Sequence, residues 1–109
     1  MANTFKLKTK ANVGVSTVGI YTAPAATTTV VIGITMAKTS GSGVNVGVGI
    51  TRAGTTEDVK LLKNAPIPQG SSLEFMAGNK IVLEATDTVT VDSDSNTSVD
   101  AALTIMEIT

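Results

Sequence analysis

The regular alternation of β-branched residues with small or polar ones constrains this chain most. Thr, Val and Ile occur 18, 13 and 8 times among its 109 residues. Such side chains lose rotamer freedom on a helix but pack well on a pleated sheet. From Val44 to Thr51 every second position is Val or Ile, which is the period expected of a strand with one buried face. The chain is therefore predicted to be built from strands.

A second alternating run precedes the first. Its apolar face is predicted to hold Val30, Ile32, Ile34 and Met36, and its other face Thr29, Val31 and Thr35. Between the two runs lies Ser40-Gly41-Ser42-Gly43, and glycine readily adopts the positive φ values that tight turns require. The pattern predicts that the two strands form a hairpin.

The remaining segments show weaker strand patterns. The apolar face changes parity between Val15 and Val18, which predicts a β-bulge at Ser16 and Thr17. Prolines in Pro66–Gly70 predict a crossing loop, because proline cannot donate to a strand ladder. The other strands are predicted at Phe5–Lys10, Val13–Tyr21, Val59–Lys63, Leu73–Met76, Ile81–Glu84, Thr88–Val91 and Val99–Ile108.

Short strands separated by turns, with no helix of ordinary length, define the expected fold class. We expect an all-β protein: a single-domain antiparallel β-sandwich, jelly-roll or immunoglobulin-like, of about eight short strands over residues 1–109. A barrel is the alternative. Residues 1–12 are expected to form an N-terminal contact strand or arm.

Composition excludes most catalytic chemistry. The chain has no His, no Cys and 3% aromatic residues, so His-based general bases, thiolate nucleophiles, the usual zinc sites and disulfides are ruled out. Its lysines have no apolar surroundings that would lower their pKa and activate a Ser-Lys pair. We predict no enzyme activity and no cofactor. Apolar runs are too short for a signal peptide or a membrane span.

Charge is divided unevenly along the chain. Residues 1–56 carry five basic groups and no acid, whereas residues 57–109 carry three basic groups and nine acids. If the two halves lay at opposite ends of the domain, copies could meet head to tail. Alternatively, strands from both halves interleave and the asymmetry cancels.

The N-terminal segment places three lysines on one face of a strand: Lys6, Lys8 and Lys10, next to Phe5. A stripe of this kind can follow nucleic acid phosphates. However, single-strand binders add aromatic platforms, and base readout favours Arg, whereas this chain has one Arg and three aromatic residues. Lysines are also a common protection of edge strands. We therefore predict a protein contact and no nucleic acid binding.

One loop resembles the beginning of a calcium site. Asp92, Asp94 and Asn96 have the spacing of the first ligands of an EF-hand, and Asp100 follows. Thr97 stands where that loop needs Gly, and Leu103 where it needs Glu, so an EF-hand is excluded. These four residues are a low-affinity metal candidate at most, since Asp, Ser and Asn are also ordinary turn residues.

Two strands indicate a contact with another molecule. Gly47 and Gly49 strip one face of their strand, which suggests that another backbone or side chain approaches closely there. In the C-terminal strand, Met106 and Ile108 make the face opposite Val99 and Leu103 apolar as well. A second copy would cover such a surface, although loops covering a central strand are the alternative.

A series of strand-and-turn phrases resembles small virion proteins of tailed bacteriophages, especially marine cyanophages. The likeness spans about residues 18–109 and departs from the usual pattern at Thr86, where Gly is common. The phrases are 21–31 (YTAPAATTTVV), 39–43 (TSGSG), 64–74 (NAPIPQGSSLE), 83–91 (LEATDTVTV), 98–100 (SVD) and 106–109 (MEIT).

The resemblance implies a capsid decoration or cement protein that binds the outer shell, is made in the host cytoplasm and resides in the virion. Its expected partners are the major capsid protein or other virion proteins and further copies of itself, as a trimer. The alternatives are a tail, neck, baseplate or fibre component and a host-surface glycan-binding module. The predicted contact residues are Phe5, Lys6, Lys8, Lys10, Gly47, Gly49, Met106 and Ile108.

Overall fold

A computed structural model describes residues 3–38, 44–52, 58–67, 72–75, 80–94 and 99–109. Over these residues it contains nine strands, and no helix that could span a membrane. The strands are β1 (Asn3–Val13), β2 (Val18–Thr22), β3 (Thr28–Lys38), β4 (Val44–Thr51), β5 (Asp58–Ile67), β6 (Ser72–Phe75), β7 (Ile81–Leu83), β8 (Thr88–Ser93) and β9 (Val99–Ile108).

The strands form two antiparallel sheets. Sheet A has the order β1-β9-β3-β6, with β7 also pairing β3, and sheet B has the order β2-β8-β4-β5. Because β6 and β7 pair successive parts of β3, they act as one interrupted strand. The pairs β1–β9, β2–β8, β3–β6/β7 and β4–β5 are nested from the chain ends inward. This nesting identifies the sandwich as a jelly roll rather than an immunoglobulin-like fold.

The core lies between the sheets. Its largest fully buried side chains come from both halves of the chain, and Leu103 and Ile105 of β9 lie at its centre beside Val31 and Ile34 of β3. The alternating burial of β9 follows the alternation in its sequence, whereas β4 is buried at nearly every position, its glycines included. The predicted β-sandwich is therefore confirmed, and β9 has the predicted bounds.

The predicted hairpin is wrong. β3 belongs to sheet A and β4 to sheet B, so the connection crosses between sheets. The predicted turn residues themselves, Ser40–Gly43, lie outside the described residues. A register shift between Val31 and Gly33 also changes the buried face of β3. As a result Val31 is buried and Val30 faces outward, which reverses the prediction for the first half of the strand.

Two other boundaries differ from the prediction. The parity change at Ser16 and Thr17 is not a bulge, because β1 ends at Val13 and residues 14–17 cross from sheet A to sheet B. Strand β5 continues through Pro66 to Ile67. Proline is tolerated there because β5 lies at the edge of sheet B.

Two similar turns close one end of the sandwich. Ala26 and Thr86 have φ values of 58° and 66°, the left-handed region that glycine occupies most easily. The turns are joined by hydrogen bonds from the Ala23 amide to the Asp87 carbonyl, 2.9 Å, and from the Thr86 amide to the Ala23 carbonyl, 2.8 Å. A glycine at position 86 would adopt this φ without the strain that Thr86 bears.

Candidate assembly surface

Strand β1 is the edge of sheet A and is exposed on both faces. It runs antiparallel to β9 from Asn3 opposite Ile108 to Lys10 opposite Ala101. Along its length only Val13 is buried. Phe5 and Leu7 keep 69% and 65% of their surface accessible. An 11-residue strand with this exposure offers a backbone edge and two side-chain faces to a partner.

One face of β1 carries the three predicted lysines. Lys6, Lys8 and Lys10 lie opposite Ile105, Leu103 and Ala101, so they project on the side of the sheet that β9 uses for the core. Lys6 and Lys10 are exposed and Lys8 is half-buried. The lysine face of β1 therefore lies on the side of sheet A that faces the core. It extends beyond the part of that side that sheet B covers, so it is open to solvent.

Lys6 ties this strand to a buried polar network. Its Nζ lies 2.9 Å from Oε1 of Glu107, a residue that is 6% exposed. The Tyr21 hydroxyl donates to Oε2 of Glu107 over 2.6 Å and lies 2.8 Å from the Thr29 hydroxyl. Because Tyr21 belongs to sheet B and the other groups to sheet A, the network clamps the two sheets together beside β1.

The network shifts two pKa values in opposite directions. Hydrogen bonds from Tyr21 and Lys6 hold the pKa of Glu107 below its ordinary value, because both partners favour the carboxylate. Burial, together with the hydrogen bond to Glu107, raises the pKa of Tyr21 to about 12. Sequence reasoning missed this pair. The available signal was the core-facing alternation of β9, which continues from Ile105 to Glu107 and places a carboxylate on the buried side.

The opposite face of sheet A faces outward and carries a row of apolar side chains at one end. By register, Phe5 lies beside Met106, which lies beside Val30, which lies beside Val82. Val82 is 60% exposed, and Met106 and Ile108 are half-buried. The structure therefore brings together the predicted residues Phe5, Met106 and Ile108 and adds Leu7, Val30 and Val82, which were not predicted.

The two charged halves of the chain are interleaved. Strand β1 lies along β9, so Lys6 meets Glu107 and the Asn12 amide donates to Asp100. Arg52 likewise pairs with Glu84 and Asp87. Contacts of this kind support the interleaved arrangement of the two halves rather than basic and acidic regions at opposite ends.

The predicted glycine contacts are made within the chain. Gly47 and Gly49 are both buried. A Cβ on Gly47 would lie 2.5 Å from Oδ1 of Asp92, and one on Gly49 would lie 2.9 Å from the carbonyl oxygen of Val59. The close approach inferred from the sequence is thus provided by neighbouring strands, so packing inside sheet B accounts for both glycines.

The candidate metal ligands are engaged separately. Asp92 accepts from the Thr17 hydroxyl and lies 3.6 Å from Nζ of Lys60. Asp94 accepts from the Asn45 amide, and Asp100 accepts from the Asn12 amide. Asn96 lies outside the described residues. In the described part of the chain, no three acidic groups come together as metal ligands would.

Comparison with known proteins identifies the fold. No protein-family model and no curated protein matches the chain. A chain in the acid-stable capsid of Helicobacter pylori bacteriophage KHP30 matches with a TM-score of 0.59 and 9% identity, over 100% of this chain and 94% of that one. A chain of the disulfide-linked pili of Bacillus endospore appendages matches with a TM-score of 0.57 and 15% identity, over 99% and 87%.

A chain of the T13 particle of infectious bursal disease virus also matches, with a TM-score of 0.59 and 15% identity. It covers 96% of this chain, but this chain covers only 30% of the viral one. The fold is therefore shared with viral capsid and pilus chains. It makes up most of the phage capsid chain and of the pilus chain, but less than a third of the infectious bursal disease virus chain.

Proposed function

We propose that this chain is a structural protein of a bacteriophage virion and acts as a decoration or cement protein on the capsid. The observation that carries the proposal is the match to a phage capsid chain over nearly the full length of both molecules. A jelly roll of this size occurs there as a separate chain. This match supports a structural component of the virion.

The chemistry of the described surface supports a contact role. The chain has no His and no Cys. In the described ranges, the acidic groups of Asp92, Asp94, Asp100 and Glu107 are each held by hydrogen bonds or ion pairs within the fold. A domain with few reactive groups and a long exposed edge strand is suited to packing against neighbours.

Strand β1 is the proposed contact with the shell. Its free edge can accept a strand from a coat subunit, and its lysine face favours a partner surface rich in carboxylates. Repetition over the shell would strengthen a modest single contact by avidity. The proposed partner is thus the major capsid protein, and the proposed location is the virion.

The test uses particles of the encoding phage that lack this chain. Purified wild-type protein is added back, and its copy number and position are determined by cryo-electron microscopy. We expect density repeated over the capsid surface with β1 against the coat. A Lys8→Glu/Lys10→Glu variant should reduce occupancy at least tenfold, whereas the matched control Lys63→Glu, an exposed lysine on β5, should bind like wild type.

Three results would overturn the proposal. Copies confined to the tail, neck or baseplate would identify a tail component, and binding only to host surface polymer would identify a glycan-binding module. Equal occupancy of the β1 variant and the Lys63 control would refute β1 as the contact. The likeness to pilus chains favours a fibre subunit as the second candidate, but a chain with no cysteine cannot form a disulfide-linked fibre.

A further inference from the structure

We infer that the outer face of sheet A, formed by β1, β9, β3 and the position shared by β6 and β7, is a contact with a second copy of this chain across a two-fold axis. Jelly rolls bury the space between their sheets and leave the outer faces to solvent, so these faces are normally polar. Here the outer face holds Phe5, Leu7 and Val82, each at least 60% exposed, beside Met106 and Ile108.

Charge is almost absent from this face. Among the described outward-facing positions of sheet A, assigned from register and alternation, charged residues lie only at the rim: Asp100 at one end of β9, and Glu74, which is paired with Thr35, on the edge strand β6. Charged residues are depleted at the centre of protein interfaces, whereas aromatic residues and Met are enriched there. An exposed sheet face with this composition indicates a covered surface.

The area is sufficient for a stable dimer. Four strand positions spaced about 4.8 Å apart give a width of about 19 Å, and ten residues at about 3.4 Å each give a length of about 34 Å. The projected face is therefore roughly 650 Å², or about 1,300 Å² for two copies. Specific stable interfaces bury about 1,200–2,000 Å² in total.

The shape of the face is complementary to itself. Bulky side chains lie at the end that contains Phe5, Met106 and Val30. The other end is an open groove of about 310 Å³ that is lined mostly by small residues, among them Thr9, Ala11, Thr35, Ala37 and Ala102, with Lys10 and Asp100 also in its lining. A surface with a raised end and a hollow end fits a copy of itself that is turned end for end.

The two-fold axis would lie midway between the facing sheets A of the two copies and run perpendicular to their strands. It passes at the level of Leu7 and Thr104, which are paired in register. Rotation about this axis brings Phe5 over the partner's Thr9 and Met106 over the partner's Ala102. Leu7 meets its own counterpart. Such an isologous contact joins two molecules, whereas the trimer implied by the resemblance needs a three-fold contact.

The first experiment measures mass against concentration by sedimentation equilibrium. We expect a dimer for wild type and a dissociation constant raised roughly a hundredfold or more for Leu7→Asp, because a charge is buried on the axis in both copies. The control Val15→Asp changes a comparably exposed residue, 57% accessible, between β1 and β2, and should stay dimeric. A monomeric or trimeric wild type, or a Leu7→Asp dimer as tight as wild type, would refute the contact.

The second experiment maps the contact in the folded protein. Because the chain has no cysteine, single Leu7→Cys and Lys8→Cys variants each carry one thiol, on opposite faces of the same strand. A short bis-maleimide should join two Leu7→Cys copies across the ~10 Å between packed sheets, and it should leave Lys8→Cys without a covalent crosslink. Equal crosslinking of the two variants would refute the face assignment. The result is independent of the virion role, which only particle localisation tests.

Discussion

Replacing Tyr21 by Phe tests whether the buried network clamps the two sheets. The substitution keeps the ring, which is 7% exposed, and removes only the hydroxyl. That hydroxyl donates to Oε2 of Glu107 over 2.6 Å and lies 2.8 Å from the Thr29 hydroxyl. Lys6, 2.9 Å from the other carboxylate oxygen, would remain as the partner of the buried charge.

The expected cost follows from the charge on the acceptor. A hydrogen bond to an ionised group contributes about 1.5–3 kcal/mol, and about 2 kcal/mol is a central value. With an unfolding entropy of about 2.1 cal/mol/K per residue, the 109-residue chain should lose about 9 °C in Tm. The matched control is Thr22→Val, which removes an exposed 2.9 Å hydrogen bond between the hydroxyls of Thr22 and Thr88 and should cost about 0.5 kcal/mol or less.

The pH dependence separates this network from simple loss of packing. Because the pKa of Glu107 is lower in the folded chain than its ordinary value of 4.5, its contribution to stability is present above that value and is lost as pH falls through the folded-state value. The difference between wild type and Tyr21→Phe should therefore be largest near pH 7 and shrink in acid. Urea unfolding of both proteins at pH 7 and in acid measures this difference in the free energy of unfolding. A deficit below about 0.5 kcal/mol at pH 7, or one that does not change in acid, would refute the reasoning.

Three further predictions concern titration and packing. Tyr21 is the only tyrosine in a chain without tryptophan, so tyrosinate absorbance should titrate near pH 12 in the folded protein and near 10 in urea; a folded midpoint near 10 would contradict its burial. Leu103→Ala, at a fully buried site, should cost about 2–5 kcal/mol in chemical denaturation, whereas Val15→Ala, at a site that is 57% exposed and outside both proposed contacts, should cost far less. Gly49→Ala should destabilise the fold by about 1–3 kcal/mol, because the added Cβ would lie 2.9 Å from a backbone oxygen. The control Gly33→Ala, whose Cβ would have nothing within 4 Å, should be neutral or stabilising. Equal effects of the two substitutions would refute the packing explanation.

Local alternation was sufficient where a strand has one buried and one exposed face. Strand β9 was predicted with its observed bounds and alternates in burial as its sequence does; in β4 the valines are buried as their spacing predicts, but Gly47 and Gly49 on the other face are buried too. The first half of β3 could not be predicted in this way. Val30, Val31 and Ile32 are all apolar, so the sequence allows either face, and the bulge between Val31 and Gly33 decides it.

Local sequence patterns could not predict which strands pair with each other. A glycine-rich connection is compatible with a hairpin and also with a crossing between sheets, so the link between β3 and β4 had no local signature. The choice depends on pairs distant in sequence, such as β3 with β9 and β4 with β8. The same limit applies to the assembly surface. Lys6, Lys8 and Lys10 share a face as predicted, but only the register shows that this face is the open continuation of the core side.

The placement of Glu107 connects the stability of the fold with the presentation of β1. An edge strand exposed on both faces gains little from burial and would tend to separate from its sheet. Lys6 counteracts this tendency, because its partner Glu107 is fixed by Tyr21 from the opposite sheet. The single clamp therefore holds the inter-sheet contact and the edge strand together. It keeps Phe5 and Leu7 in register with Met106 and Thr104, so that the outer face is formed before any partner binds, and the ordering cost of association is reduced.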